Sequence, residues 1–127
     1  MYSFSTEISA DFDTVIESVT QALKQEGFGV LTSIDIQATM KEKLDVDGKP
    51  YIILGACNPS LAHKALQADP DIGLLLPCNV VVRENDRGSI TVSFMDPGDV
   101  LVLVDHEDIA EVAVDVRIRL NRVCDSL

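Results

Sequence analysis

Two short signatures contain the residue types in this chain that are best suited to chemistry. They are Cys57-Asn58-Pro59 and Pro77-Cys78-Asn79. Cys57 directly precedes the expected N-cap of a helix, where the positive end of the helix dipole would stabilise a thiolate. Free cysteine is also among the most buried residue types, so Cys57 can equally be a small apolar side chain that ends a strand. The same two interpretations apply to Cys78.

A pairing of the two cysteines is a further alternative. Cys57 and Cys78 would form a redox pair, or bind a soft metal, if they approached each other across a sheet. His63 is the only imidazole near them in the sequence, and it lies beside Lys64 and Gln67 on the polar side of its helix. Because a zinc site needs ligands that converge, this placement argues against zinc, and we predict no metal site. The sequence identifies no cofactor.

The two asparagines allow a different chemistry, the binding of an anion. Asn58 and Asn79 would line a pocket beside Lys43, whose ammonium group would hold an anion near a helix N-terminus. The alternative is that Asn58 only caps a helix and that Asn79 only satisfies backbone groups at a strand irregularity. The candidate ligand-binding residues are Lys43, Cys57, Asn58, Pro59, Cys78 and Asn79.

Familiar catalytic and cofactor motifs are absent from the chain. Residues 45–48 (Asp-Val-Asp-Gly) begin like a calcium loop, but the twelfth position of that loop is Ala56 rather than a carboxylate. Residues 27–29 (Gly-Phe-Gly) lack the third glycine and the strand-to-helix context of a dinucleotide site. There is no G-x-S-x-G, no phosphate loop and no His-Glu-x-x-His. The sequence therefore names no catalytic residue and leaves open whether the protein is an enzyme.

The elements expected around the signatures are a strand, a helix and a second strand. Tyr51–Cys57 is an apolar run with the length of a buried strand. Asn58 has the chemistry of a helix N-cap and Pro59 that of the first helical residue, so a helix should follow and stop before Pro70. The second regular strand is expected over Cys78–Glu84, because the proline just before it cannot donate to a strand ladder.

The rest of the chain alternates between strand and helix patterns. Strands are expected at residues 2–8, 28–35 and 90–95, and the turn-rich residues 84–89 should form a hairpin. Helices are expected after a cap at Ser9 or Asp11, over residues 37–44, and after a cap at Asp105. Residues 100–104 fit a strand, a helical turn or a buried connector equally well.

This order predicts an α+β sandwich of two layers, in which a mostly antiparallel sheet is covered by helices on one face. No linker, repeat or low-complexity segment interrupts the chain, so residues 1–127 are expected to form a single domain. Both alternating sets of side chains in Tyr51–Cys57 are apolar. That strand should therefore be central, or be covered on its far face by another subunit, and we expect a homodimer.

Composition excludes several classes of partner. The chain has 127 residues, of which 46% are hydrophobic, which is enough to fold around a core. Its formal charge is −11, from 21 acidic and 10 basic residues, and such a charge repels nucleic acid and anionic lipid. No apolar run approaches the ~20 residues that span a bilayer. We expect a soluble, cytoplasmic protein with neither nucleic-acid nor membrane partners, and the three cysteines predict no disulfide framework.

Four motifs together resemble domain-of-unknown-function family 302, over essentially the whole chain. They are residues 27–28 (GF), 34–44 (IDIQATMKEKL), 55–59 (GACNP) and 76–80 (LPCNV). The resemblance implies a two-layer α/β fold similar to the TATA-binding-protein-like arrangement, in the order strand, helix, four strands, helix, and a tendency to form dimers. It also implies that the six candidate ligand-binding residues match the signature of the family. The activity of that family is unassigned, so the resemblance leaves function open.

Three hypotheses of function follow. The first is a dimeric, non-catalytic module that binds a small-molecule ligand near the two signatures. The second is a thiol-based redox enzyme or sensor, in which Cys57 reacts and Cys78 is its resolving partner. That hypothesis requires the pKa of Cys57 to lie well below the ~8.5 of free cysteine. The third is a structural or partner-docking dimer, which needs neither a ligand nor a reactive thiol.

Overall fold

A computed structural model describes residues 1–127, and its centre is a sheet of five antiparallel strands. The strands are β1 (Ser3–Ile8), β2 (Gly29–Asp35), β3 (Tyr51–Cys57), β4 (Cys78–Glu84) and β5 (Ile90–Met95). They lie side by side in the order β1-β5-β4-β3-β2, and each neighbouring pair is antiparallel.

The helices supply the second layer. They are α1 (Phe12–Gln25), α2 (Ile36–Leu44), α3 (Pro59–Ala68), α4 (Pro97–Val100) and α5 (Glu107–Asp125), with 3₁₀ turns at Pro70–Leu75 and Leu101–Leu103. Buried side chains of α1, α3 and α5 join those of the sheet in one hydrophobic core. This arrangement confirms the predicted α+β sandwich. None of the helices combines the length and the apolarity that a membrane span requires.

Alternation along the strands decides which side chains reach the core. In β4 and β5, Val80, Val82, Val92 and Phe94 are fully buried beneath the helices, and the Phe94 ring stacks on Phe4 with ring centroids 5.3 Å apart. The intervening residues point to the opposite side of the sheet, which we call the open face. Most of its side chains are exposed or half-buried.

The predicted caps are confirmed except at α5. Asp11 caps α1 by accepting a hydrogen bond from the Thr14 amide. The prediction that Asp105 caps α5 is wrong, because the helix begins one residue later. There, the His106 Nδ1 atom accepts a hydrogen bond from the Asp108 amide at 3.1 Å. The capping acceptor of α5 is therefore an imidazole nitrogen, where the sequence predicted a carboxylate oxygen.

Residues 100–104, which the sequence pattern left undecided, continue from α4 into a 3₁₀ turn. The Asp96 side chain caps α4 by accepting a hydrogen bond from the Gly98 amide at 2.9 Å, so the chain turns into a helix directly after β5. Leu101 is buried in the core, whereas Val102 and Leu103 are exposed. The segment is therefore a helical turn with one buried anchor.

β3 is an interior strand, paired on both sides, which agrees with one of the two expectations for it. It lies between β4 and the edge strand β2. Its inward residues Leu54 and Ala56 are buried, while Tyr51 and Ile53 on the open face are half-buried. The apolar open-face side of β3 thus borders solvent in the single chain.

Candidate functional site

The first signature forms the junction between β3 and α3. β3 ends at Cys57, and the Asn58 Oδ1 atom accepts a hydrogen bond from the Leu61 amide at 3.3 Å, as expected of an N-cap. Pro59 occupies the first turn, where its missing amide hydrogen costs nothing. The Asn58 amide nitrogen also lies only 2.9 Å from the point where a Cβ atom on Gly27 would stand. Asn58 therefore lies directly against the turn that ends α1.

The two cysteines lie on neighbouring strands at this junction, Cys57 at the end of β3 and Cys78 at the start of β4. Ala56 lies opposite Cys78 in the β3–β4 register, so strand alternation directs Cys78 into the core and the neighbouring Cys57 away from it. Burial raises the pKa of the Cys57 thiol, and it raises that of Cys78 to about 11, with a smaller contribution from the nearby Cys57. All three cysteines of the chain are free thiols.

These thiol properties run against the redox hypothesis. A reactive cysteine owes its nucleophilicity to a lowered pKa, and here burial acts in the opposite direction. Both cysteines are free thiols, and neither has the lowered pKa that marks the reactive member of a redox pair. The geometry of this pair supplies no activated thiol.

A small apolar cavity lies between the signatures and the helices. Its volume is about 20 Å³, and 11 of its 13 lining residues are hydrophobic. Cys57, Asn58 and Cys78 all contribute to its wall. Such a volume holds about one water molecule and no larger ligand. The two signatures are thus brought together, but around packed core rather than around an open site.

Lys43 does not join them. It lies on the exposed last turn of α2, a helix whose cap, Asp35, pairs with Ile52 near the far end of β3 from Cys57. Lys43 lines neither the small cavity nor the groove described next. The proposed pocket of Lys43 with both asparagines is therefore not formed by the single chain.

Asn79 belongs to a different feature, a groove on the open face. It is the residue after Cys78 in β4, and it points away from the core and is exposed. The groove has a volume of about 520 Å³ and crosses β1, β5, β4 and the start of β3. None of its ten lining residues carries a carboxylate, although the chain has 21 acidic residues. Such a volume lies within the range of small-molecule sites.

The groove also contains polar side chains that bind nothing else in the chain. These are the hydroxyls of Tyr2, Ser3, Ser5, Tyr51 and Ser93 and the carboxamide of Asn79. None of them donates or accepts a side-chain hydrogen bond within the protein. The strand register sets Ser5 directly opposite Ser93, and Ser93 directly opposite Val81. Hydroxyls from two strands are thus held side by side over an apolar floor.

Polar side chains at the neighbouring hairpin behave differently. The side-chain nitrogen of Asn85 (Nδ2) donates to the Thr91 hydroxyl at 2.8 Å and to the Ser89 hydroxyl at 3.0 Å. The Ser89 hydroxyl in turn donates to Glu7 at 2.6 Å. The polar side chains of this network therefore bind one another, whereas those of the groove have no partner within the chain.

Arg83 connects the network with the groove. One of its terminal nitrogens donates to Asn85 Oδ1 at 2.7 Å, and the side chain forms no ion pair. The three arginines of α5 are each paired instead. Arg117 lies 3.1 Å from Asp96, Arg119 lies 2.7 Å from Asp115, and Arg122 lies 2.8 Å from Glu26. Arg83 is half-buried and brings the only positive charge to the groove.

Reasoning from the sequence missed most of this groove. Asn79, Val81 and Arg83 alternate with buried valines, and Ser3 and Ser5 alternate with apolar residues, so the pattern marks them as open-face side chains. The pattern does not say that β5 lies between β1 and β4. That strand order is what gathers residues from four strands into one site.

Comparison with known proteins gives one full-length match to a family model. It is described as Domain of unknown function DUF302, and it covers residues 4–127. A solved structure described as the crystal structure of uncharacterized conserved protein DUF302 from Bacillus stearothermophilus has a TM-score of 0.89 and 30% sequence identity. That match covers 98% of this chain and 97% of the other.

A curated relative from Aquifex aeolicus (strain VF5), described as an uncharacterized protein, is 34% identical over 53 residues. The match covers 41% of this chain and 37% of the relative. The chain therefore spans just over a third of the length of that relative.

Proposed function

Since this chain belongs to the family described as Domain of unknown function DUF302, whose activity is unassigned, we propose a function from its own geometry. The protein is a non-catalytic module that binds a small molecule in the groove of the open face. The observation that carries this proposal is the groove itself, about 520 Å³ in volume, free of carboxylates, and lined by unpaired hydroxyl and carboxamide groups.

The physical support is preorganisation. The groove residues project from strands that are hydrogen-bonded to neighbours, so their backbone positions are fixed before a ligand arrives. Side chains that have no partner within the protein can exchange water for a ligand without breaking an internal hydrogen bond. A site of this kind loses little order on binding, which favours affinity.

The groove also lacks the parts of a catalytic centre. No histidine, cysteine or carboxylate lines it. The groove therefore has neither a nucleophile paired with a base nor a general acid whose usual pKa lies near neutrality. Serine hydroxyls without such a base are poor nucleophiles. These absences favour binding over catalysis at this site.

We further propose that the module is a homodimer through the part of the open face next to the groove. Leu31 and Ile34 on the edge strand β2 are 68% and 44% exposed, and Ile34 pairs with the half-buried Ile53. An apolar stripe therefore runs across β2 and β3, beside the groove. A second copy would remove this stripe from water.

The binding proposal is tested by an NMR screen of ¹⁵N-labelled protein with small neutral, cationic and anionic fragments. We expect amide shifts that cluster on the groove strands. Ser93→Phe, which places a ring in the groove, should abolish them, whereas Ser60→Phe on exposed α3 should not. Fragment shifts that lie elsewhere, or that survive Ser93→Phe, would contradict the proposal.

The dimer is tested separately by native mass spectrometry of freshly purified protein. Wild type should give twice the 13.8 kDa chain mass, and any retained ligand should add mass to it. Ile34→Lys, which puts a charge into the apolar stripe, should give a monomer, while Leu74→Lys, at an exposed leucine on the Pro70–Leu75 turn, should stay dimeric. A monomeric wild type would rule out the dimer without affecting the binding proposal.

A further inference from the structure

We propose that the ligand of the groove is a small monocarboxylate, held by Arg83. This inference rests on the proposed binding function and specifies its chemical class. It follows from the one charged group in the groove, from the way that group is held, and from the charge of the rest of the protein.

The Arg83 guanidinium is positioned before any ligand binds. Its contact with Asn85 Oδ1, at 2.7 Å, occupies one terminal nitrogen. Asn85 is itself fixed by Thr91 and Ser89, and Thr91 is buried between its strand neighbours. The remaining nitrogens of Arg83 have no hydrogen-bond partner within the chain. A planar fork with a free edge is the geometry that binds a carboxylate through two parallel hydrogen bonds.

No side chain of the protein supplies that carboxylate. Glu7, the acidic residue nearest in the register, pairs with Thr91, which pairs with Arg83 on its other side. Glu7 thus lies two strands from Arg83, roughly 10 Å away at the usual strand spacing. One of its oxygens already accepts from the Ser89 hydroxyl. Arg83 is therefore half-buried in the groove without an ion-pair partner, although the chain has 21 acidic residues.

The overall charge favours a monoanion over a phosphate or other dianion. The protein carries a formal charge of −11, so every additional negative charge on a ligand is repelled by the surrounding field. A single guanidinium offsets one charge. A dianion needs several cationic groups, and the groove has only Arg83.

The other residues that line the groove indicate which chemical groups the rest of the ligand should carry. Val81 and Met95 provide an apolar floor, and Tyr51, opposite Arg83 in the register, offers a ring edge and a hydroxyl. Ser5 and Ser93 add donors and acceptors further along the groove. A compact body with a ring or short chain and one hydroxyl matches this surface. A hydroxylated aromatic carboxylate has all of these features.

The test compares three probes of similar size by NMR titration: 4-hydroxybenzoate, the neutral 4-hydroxybenzamide, and phenyl phosphate. We expect 4-hydroxybenzoate to bind in the groove at least about 10-fold more tightly than the amide, which follows from the usual strength of a charged hydrogen bond. Phenyl phosphate should bind more weakly than the carboxylate. Equal affinity for acid and amide, or tighter binding of the phosphate, would overturn the inference.

Variants assign the effect to Arg83. Arg83→Gln should reduce the affinity for 4-hydroxybenzoate by about 10-fold to 100-fold and leave that for the amide unchanged. Arg83→Lys, which keeps the charge but loses the fork, should fall between, and it serves if the glutamine variant does not fold. Arg87→Gln, in the hairpin turn outside the groove, is the charge-matched control and should bind like wild type. An equal loss in the Arg87 variant would mean a general effect of charge and would overturn the role of Arg83.

Different results would contradict the carboxylate inference and the proposed binding function. If neutral fragments shift groove amides and 4-hydroxybenzoate does not do so at about 10 mM, the carboxylate inference is wrong and the binding function stands. If no fragment of any charge shifts a groove amide, both are wrong.

Discussion

Alkaline pH should destabilise this protein through the buried thiol of Cys78. Cys78 is 5% exposed and lies on the core side of β4. Burial raises its pKa from 9.0 to about 11 in the folded protein. Between those two values the unfolded chain releases the thiol proton and the folded chain keeps it. The stabilisation that Cys78 provides is therefore complete below pH 9 and is lost as the pH rises toward 11.

The size of the effect follows from the pKa difference. Each pKa unit corresponds to about 1.4 kcal/mol at 25 °C, so the free energy of unfolding should fall by roughly 2 to 3 kcal/mol through this one group. That is a large share of the total for a small domain, which is typically about 5 to 15 kcal/mol. The loss should begin near pH 9, well above the range in which carboxylates titrate.

The measurement is urea unfolding followed by circular dichroism, from about pH 7.5 to pH 11 under reducing conditions. Cys78→Ala is the matched variant, because it removes the titrating group and leaves Cys57 and Cys124 in place. At neutral pH it should be less stable than wild type by about 1 kcal/mol, from the small cavity that it leaves. The difference between the two proteins should shrink and then reverse as the pH rises. Parallel pH profiles for wild type and variant would refute the reasoning.

Three further predictions concern the signatures and the strand beside them. Alkylation of Cys57 by iodoacetamide should still accelerate above pH 9, because burial raises its pKa, and a plateau below pH 8 would restore the redox hypothesis. Asn58→Ala should lower the free energy of unfolding by about 1 kcal/mol through the lost cap, while Asn58→Asp keeps the capping oxygen and should be nearly neutral; equal losses in the two would contradict this role. Gly55→Ala should cost about 1 to 3 kcal/mol, because its Cβ atom would lie 2.6 Å from a Thr32 methyl carbon and 2.8 Å from Pro77. Gly29→Ala, on the neighbouring strand with open space around it, is the control and should be close to wild type in the same urea titrations.

The open face shows how far alternation alone can take a prediction. In β4, alternation places Asn79, Val81 and Arg83 on one face and Val80 and Val82 on the other, and the second pair is buried. The pattern is readable because a strand repeats every two residues. It is local information, however, and it stops at the end of each strand.

Local chemistry also determined the junction at Asn58. A capping side chain followed by proline specifies a helix start whatever lies around it, so this element was predictable to the residue. The cap at α5 was not, because several residues in a row can cap a helix and packing selects which one does. There the N-cap is His106 rather than Asp105.

The sequence could not decide whether the cysteines are reactive thiolates or buried thiols. A position before a helix N-cap suggests a thiolate, and burial favours a thiol; only the packed structure shows that burial dominates at both Cys57 and Cys78. Desolvation depends on atoms from distant parts of the chain, such as those of α5 that line the same small cavity.

The sequence by itself thus determined the fold class, most of the elements and their caps, because these follow from periodicity and from contacts between neighbours in the chain. Tertiary structure alone decided where ligand chemistry can take place. The order β1-β5-β4-β3-β2 brings Ser5, Ser93 and Arg83 together from positions far apart in sequence. It leaves Arg83 without an ion-pair partner and brings both cysteines to the wall of one small cavity, and no local pattern encodes those distances.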